Sequence, residues 1–373
     1  MKPLSRCVPS SVTMALDQRA RTLLSSGKDV VNLTAGQVDL PMPEEGKAAI
    51  RAALDADRTG YVPATGSADL KEAVRRRMGW NDGAVLISAG AKPLLFAAIE
   101  CVAGIGDEVL LITPCYTSYP EMVRLAGALP VPVPHGEPLE RFVTPRTKAI
   151  IVNHPVNPTG AVLSKEELAG IVDFANAHDL YLIADEVYHA FVYEGRFTSF
   201  YDVSNARARL ILVNSTSKTY AMAGLRLGFA VAPEPVAEAM SGFLSHAVGC
   251  PCSLSERAAI AVLQLDEAYS ETLRGVFRRR RDSLASAIAP IPDLTVSPCE
   301  GAFYLWIDVS AVEPDDVLFC NRLLETEGVA LTPGSAFLCP GHVRLAYTKP
   351  EPTLAEAALR LERFVRAYRS GGR

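Results

Sequence analysis

Five stretches of the chain are apolar without interruption rather than in alternation: "AVLIS" from Ala84, "EVLLIT" from Glu108, "KAIIVN" from Lys148, "YLIAD" from Tyr181 and "LILVNS" from Leu210. A strand with one wet face alternates, whereas a strand covered on both faces does not, so these runs predict a mostly parallel sheet with helices on either side. Helical spacing fills the gaps between them. "KPLLFAAIECVAG" follows the first run and "YPEMVRLAG" the second. The third leads to a helix opened by Ser164 with Glu167 three residues on, a capping box, and Leu168, Ile171, Val172 and Ala175 then recur on one face. The strand–helix alternation predicts a large α/β unit over residues 40–275.

Beyond about residue 275 the texture changes. A charged helix containing "FRRRRDSL" runs into strand-like "GAFYLWIDV" and "HVRLAY". A closing helix follows, with Leu354, Ala358, Leu361, Val365 and Tyr368 on one face. Residues 1–39 and 276–373 are expected to form a smaller α+β unit. No Gly/Ser-rich linker separates the parts, so they should pack intimately.

Composition narrows the function classes. Across 373 residues, 49% are hydrophobic and the net charge is −5. That is ample for a large core, and it lacks the basic excess of a nucleic-acid binder. No run of eighteen apolar residues occurs, and the opening "MKPLSRCVPSSVTMAL" lacks the apolar centre of a signal peptide. A cytoplasmic protein is expected, without a membrane or nucleic-acid partner. Eight cysteines are scattered and the six histidines fall outside zinc spacing, so the thiols read as structural and no metal is expected. Neither G-x-G-x-x-G nor G-x-S-x-G is present, which argues against a nicotinamide dehydrogenase and a serine hydrolase.

The candidate chemistry lies at the strand ends. In parallel α/β sheets ligands bind beyond the carboxyl ends of the strands. Here those ends carry "SAGAK", "NHPVNPTG", "ADEVY" and "NSTSK". Ser215, Ser217 and Arg226, with the backbone amides of Ala91 and Lys92 at a helix start, form a phosphate cradle. Asp185 leaves a strand buried on both faces and needs a cationic partner, for which a protonated ring nitrogen would serve. Lys218 beside cationic groups has its pKa lowered and suits Schiff-base chemistry. Taken singly, Lys218 reads as a surface lysine, Asp185 as a cap and Arg226 as half of an ion pair. Together, phosphate, ring cation and aldehyde describe pyridoxal 5'-phosphate (PLP).

The chain resembles the class I aminotransferases of PLP-dependent fold type I, and within them the aspartate aminotransferase subgroup. The resemblance runs from "VVNLTAGQVDLPMP" to "HVRLAYTKPEPTLAEAALRL". It is carried by "YVPATGSADLKEAV", "GDEVLLITPCYTSYPEMVRLAG", "NHPVNPTGAVLSKEEL", "IADEVYHAFVY" and "NSTSKTYAMAGLRLGF". It implies that Lys218 bonds the cofactor aldehyde and later moves the substrate proton, and that Asp185 keeps the ring nitrogen protonated. Asn157 and Tyr188 would bond the ring oxygen, and Ser215, Ser217, Arg226, Ala91 and Lys92 the phosphate. Tyr116 would stack on the ring. Arg344 would clamp the substrate α-carboxylate, with Gly36 in the loop that covers it. Tyr61 would reach the phosphate of a neighbouring subunit, which implies a homodimer. The resemblance further implies cis bonds at Thr113-Pro114 and Asn157-Pro158.

The implied activity is transfer of an amino group from an L-amino acid, with aspartate or glutamate as first candidates, to a 2-oxo acid such as 2-oxoglutarate. Departures from the pattern leave the substrate open. The stacking position, commonly Trp, is Tyr116; the N-terminal loop reads "GQVD" without its usual proline; and "SHAVGCPCS" offers no arginine for a distal carboxylate. Lys92 reads either as a grip on such a carboxylate or as a plain helix-start lysine. The alternative is another PLP reaction on the same scaffold: β-elimination, oxidation or cyclisation.

Overall fold

The computed structural model describes residues 12–204, 207–369 and 371. Of the regions discussed above, residues 1–11 (Cys7 among them), 370, 372 and 373 of the expected small unit and residues 205–206 of the large one lie outside them. The strands are β1 (Val31–Asn32), β2 (Ala84–Ser88), β3 (Glu108–Thr113), β4 (Leu129–Pro134), β5 (Thr147–Asn153), β6 (Tyr181–Asp185), β7 (Leu210–Ser215), β8 (Gly228–Ala232), β9 (Thr295–Val296), β10 (Tyr304–Asp308), β11 (Val329–Ala330), β12 (Thr332–Pro333) and β13 (His342–Ala346).

The main sheet has seven strands in the order β2-β8-β7-β6-β5-β3-β4. Only β8 runs against its neighbours. The continuous apolar runs divide between the two faces as expected. In β5, Ile150 and Val152 point into one core, with helices Ala68–Met78, Lys165–Ala177 and Ser253–Val262. Ala149 and Ile151 point into the other, with helices Ala91–Val102, Tyr119–Leu125 and Glu234–Ala247. Both halves of the Ser164–Glu167 capping box are present.

Two strands of the main sheet were not apparent in the sequence pattern. β4 reads "LPVPVP" and lies at the sheet edge, bonded to β3 alone. Its three prolines alternate, so their missing donors fall on the side away from the ladder, where an edge strand tolerates them. β8 is fully buried between β2 and β7. The β4–β5 crossover, residues 135–146, holds only the single 3-10 turn Leu139–Arg141 instead of an α-helix. A cavity of about 640 Å³ remains there, between the ends of β3–β5 and helix Lys165–Ala177.

The second sheet, β12-β13-β10-β9, is antiparallel, and β1 pairs in parallel with β11. Helices Glu267–Ile288, Asp316–Glu327 and Glu351–Arg369 cover it. Helix Glu267–Ile288 passes without a break through residue 275, where the texture changes. Arg280, on its buried side, makes a two-pronged ion pair with Asp39 at 2.7 and 3.0 Å. The core of this sheet also takes in Val187 to Tyr193 from the segment after β6. The described cysteines are all free. Cys115 and Cys320 are buried and Cys252 is exposed, so burial does not extend to every thiol.

Thr113-Pro114 is cis, as expected. The second cis bond is His154-Pro155 rather than Asn157-Pro158, which corrects the expectation. The chain turns directly after β5, where the His154 amide donates to the Asp185 carbonyl at 2.9 Å. The Asn157 amide is then held by Asn153 Oδ1 at 2.6 Å, so Asn157-Pro158 lies inside a turn already made.

Candidate active site

Five parallel strand ends deliver the functional side chains to one place. After β2 the chain passes Gly90 (φ 103°) into helix Ala91–Val102, presenting the Ala91 and Lys92 amides. Two glycines make this approach close. A Cβ on Gly228 would sit 2.4 Å from the Ala91 nitrogen, and one on Gly90 would sit 2.5 Å from Arg226 Nη2. After β7, Ser215 caps the short helix Thr216–Thr219, accepting from the Ser217 amide at 3.3 Å. That turn places Ser217 and Lys218 over the strand end. Arg226 takes a left-handed conformation (φ 51°) and bonds the Ala223 carbonyl at 3.0 Å.

Asp185 ends β6 and is 4% exposed. Its Oδ2 accepts from the Tyr119 hydroxyl at 2.6 Å and its Oδ1 from the Val187 amide at 3.3 Å. Burial raises its pKa to about 6, opposed by these two donors and by the charge of Lys218. Lys218 Nζ donates to the Gly36 carbonyl at 2.6 Å. Burial, with smaller contributions from Arg344 and Arg226 and against the pull of Asp185, lowers its pKa to about 8. A lysine poised there gives up its proton near neutral pH.

Arg344 comes from β13 and is 3% exposed. Its Nη1 donates to Asn157 Oδ1 at 2.9 Å and its Nη2 to the Thr34 carbonyl, while the guanidinium lies 4.5 Å from the Tyr304 ring centre. Its buried Nε has no hydrogen-bond partner among the described residues. An orphaned, charged donor of this kind is a place for an anionic ligand group. Tyr188 shares a 2.7 Å hydrogen bond with Tyr304, and burial pushes its hydroxyl well above the ordinary range.

These groups enclose a cavity of about 250 Å³, lined by Gly36, Ala91, Lys92, Tyr116, Asn157, Asp185, Tyr188, Ser215, Ser217, Lys218, Arg226 and Arg344. Every candidate from the sequence is there except Tyr61, which is fully exposed and does not line it. Lys92 Nζ lies 5.6 Å from the Tyr116 ring centre. Tyr119, Asn153 and Tyr304 line the same cavity and were not singled out from the sequence. Asn153 opens the polar strand-end cluster "NHPVNPTG", which was its signal, whereas Tyr119 carried none beyond packing. Tyr304 is placed by the antiparallel pairing of β10 with β13, in which Trp306 faces Arg344, so that Tyr304, two residues along, is a diagonal neighbour of that arginine.

Comparison with known proteins agrees with this geometry. The family model for aminotransferase class I and II matches residues 28–361. The chain belongs to this family. It is 39% identical to the aspartate/prephenate aminotransferase of Thermus thermophilus, over 98% of this chain and 99% of the relative. It is 37% identical to the aspartate aminotransferase of Thermotoga maritima, over 96% and 97%. The solved structure of the Thermus thermophilus aspartate aminotransferase with maleate superposes with a TM-score of 0.92 at 38% identity, covering 97% of this chain and 100% of that one. The architecture is therefore fold type I, and this aminotransferase is a PLP-dependent enzyme that transfers amino groups between amino acids and 2-oxo acids. Elimination, oxidation or cyclisation on the same scaffold is not favoured, since these relatives are all aminotransferases.

The residues present fit that cofactor. The two glycines leave room for a group against the helix amides. Asp185 is a buried carboxylate with no ion-pair partner among the described residues, as a site for a ring cation requires. No helix among the described residues is long and apolar enough to cross a membrane.

Proposed function

We propose that this aminotransferase takes its amino group from aspartate or glutamate and passes it to a 2-oxo acid such as 2-oxoglutarate. One observation carries the site assignment: Lys218, Asp185 and Arg344, from distant parts of the chain, open onto the same 250 Å³ cavity. Bound PLP supplies an aldehyde for the amino group and a ring that draws electrons from the substrate Cα. Ser215, Ser217, Arg226 and the amides of Ala91 and Lys92 would hold the phosphate, with Tyr116 against the ring and Asn157 and Tyr188 at its oxygen. Asp185 would keep the ring nitrogen protonated. Lys218 would bind the aldehyde and move the proton at the substrate Cα. Arg344 orients the substrate through its α-carboxylate, a task suited to its planar fork.

Lys92 supports the acidic substrate. It is the lysine lining the cavity besides Lys218, and a relative of the same fold has been solved with maleate, a dicarboxylate. We further infer a cytoplasmic homodimer in which Tyr61 of a second copy reaches this phosphate site. The full exposure of Tyr61 supports this, since a tyrosine otherwise buries most of its ring. Residues 40–275 would carry the cofactor and residues 1–39 with 276–373 would close over it. A screen of amino donors against 2-oxoglutarate tests the substrate. Aspartate and glutamate should lead, and a clear preference for alanine or leucine would sink the acidic reading.

A further inference from the structure

Asp185 meets an unusual demand: a carboxylate sealed from water that is to act as an anion. Burial favours its neutral form, and no side-chain cation lies within ion-pair distance among the described residues. Lys218 acts only through its field. The groups facing Asp185 are otherwise neutral or acidic: Glu186 and Tyr188 beside it in the chain, Tyr119 from helix Tyr119–Leu125, and Tyr304 from β10. The side-chain donor that touches it is the hydroxyl of Tyr119, 2.6 Å from Oδ2.

Tyr119 is built to be fixed. It is 1% exposed, its amide donates to the Tyr116 carbonyl at 3.0 Å, and its ring meets that of Tyr116 edge-on with centres 5.4 Å apart. Burial and the neighbouring carboxylate push its own ionisation far out of reach, so the hydroxyl keeps its proton and can only donate towards Asp185. It stands in the wall between the 250 Å³ cavity and the 640 Å³ cavity, lining both.

We propose that Tyr119 is a positioning residue for Asp185: its hydroxyl holds the buried carboxylate ionised and in one orientation, so that the proton shared with the cofactor's ring nitrogen stays on the nitrogen. This rests on the assignment of Asp185 to that nitrogen. Without the hydroxyl, Oδ2 loses its donor, the carboxyl becomes the better base, and the pair shifts towards its neutral form.

The test uses Tyr119→Phe, which keeps the ring and removes one oxygen. In apoenzyme carrying 13C-labelled aspartate carboxyls, with the Asp185 signal assigned by its loss in Asp185→Asn, the midpoint should rise by about one pH unit, a tenfold change in proton affinity. With 15N-labelled PLP bound, the ring-nitrogen resonance should move towards the unprotonated position. The kcat should fall about tenfold with KM nearly unchanged. An unmoved carboxyl midpoint, or a moved midpoint with an unmoved nitrogen resonance, would overturn the proposal. Should Tyr119→Phe not fold, 3-fluorotyrosine at position 119, a stronger donor of the same shape, must lower the carboxyl midpoint; no change overturns the proposal equally. The apoenzyme titration needs no cofactor, so failure of the cofactor assignment shows separately, as a borohydride-fixed adduct that is absent or lies away from Lys218.

Discussion

Asn157 and Arg344 stand 187 residues apart in the chain and meet across the cavity through a 2.9 Å hydrogen bond from Nη1 to Oδ1. The bond ties the turn after β5 to strand β13, so the cofactor side and the substrate side of the site share one polar contact. Asn157→Ala should leave one prong of the buried guanidinium unsatisfied, a loss of about 1.5–3 kcal/mol for a charged hydrogen bond. The expected result is a fall of roughly ten- to a hundredfold in kcat/KM for every amino donor. An effect confined to acidic donors would show that Asn157 acts elsewhere.

Arg344 and Lys92 should separate by substrate. Arg344→Lys keeps the charge and loses the planar fork, so all donors should suffer alike, by about 1.5–3 kcal/mol in transition-state binding. Lys92→Ala should lower kcat/KM for aspartate and glutamate while leaving alanine nearly unchanged. Steady-state kinetics with the three donors decides, and a uniform loss in Lys92→Ala would assign the lysine to the helix start.

Glu186 makes stability depend on pH. It is wholly buried, held by the Ser199 hydroxyl at 2.8 and 2.9 Å and the Phe200 amide at 2.8 Å. Burial, with smaller contributions from Asp202 and Asp185, raises its pKa from 4.5 to about 8. The folded protein thus keeps a proton that the unfolded chain releases above about 4.5. Its contribution is full below that pH and declines as pH rises towards 8. Glu186→Gln, which cannot ionise, should flatten the fall in thermal midpoint between pH 5 and 8.5 (about the window of these two values). A variant with the wild-type slope would show that the dependence arises elsewhere.

Gly228 is paired to both Ser88 and Ser215, at the point where two strand ends and a helix start converge. A Cβ there would meet the backbone of Gly90 and Ala91 at 2.4 Å, and backbone cannot rotate away as a side chain can. Gly228→Ala should cost about 1–3 kcal/mol of stability and weaken PLP retention on dialysis more than substrate KM. Wild-type retention would mean that the close approach is not part of the phosphate cradle.

Legibility in the sequence followed the physics of each element. β5, β6 and β7 were readable because burial on both faces leaves no polar position in the run. β4 was not, because its prolines resemble a loop until the strand is known to lie at an edge. Lys218 and Asp185 stood out as charges at the ends of buried strands, and Arg344 through the resemblance. Tyr119 and Tyr304 did not, since an aromatic residue that packs and one that also donates a hydrogen bond are the same letter. The second cis bond was misplaced by three residues because the turn is closed by Asn153, whose contact with Asn157 depends on the folded loop.

The pairing of β1 with β11 has a consequence for biosynthesis. Val31 and Asn32 find their ladder partners in Val329 and Ala330, and the Leu33 carbonyl then accepts from the Ala346 amide. A ribosome delivers Val31 about three hundred residues before Val329, so this edge stays unpaired while the intervening chain is made. The seven-stranded sheet and the helices on its faces need no residue beyond Leu263 and can assemble during that interval. Gly36, which receives the Lys218 amine, lies four residues beyond β1. The catalytic pocket therefore acquires its last wall only after the C-terminal strands emerge, and a nascent chain stalled before them would carry a formed lysine loop with nothing above it.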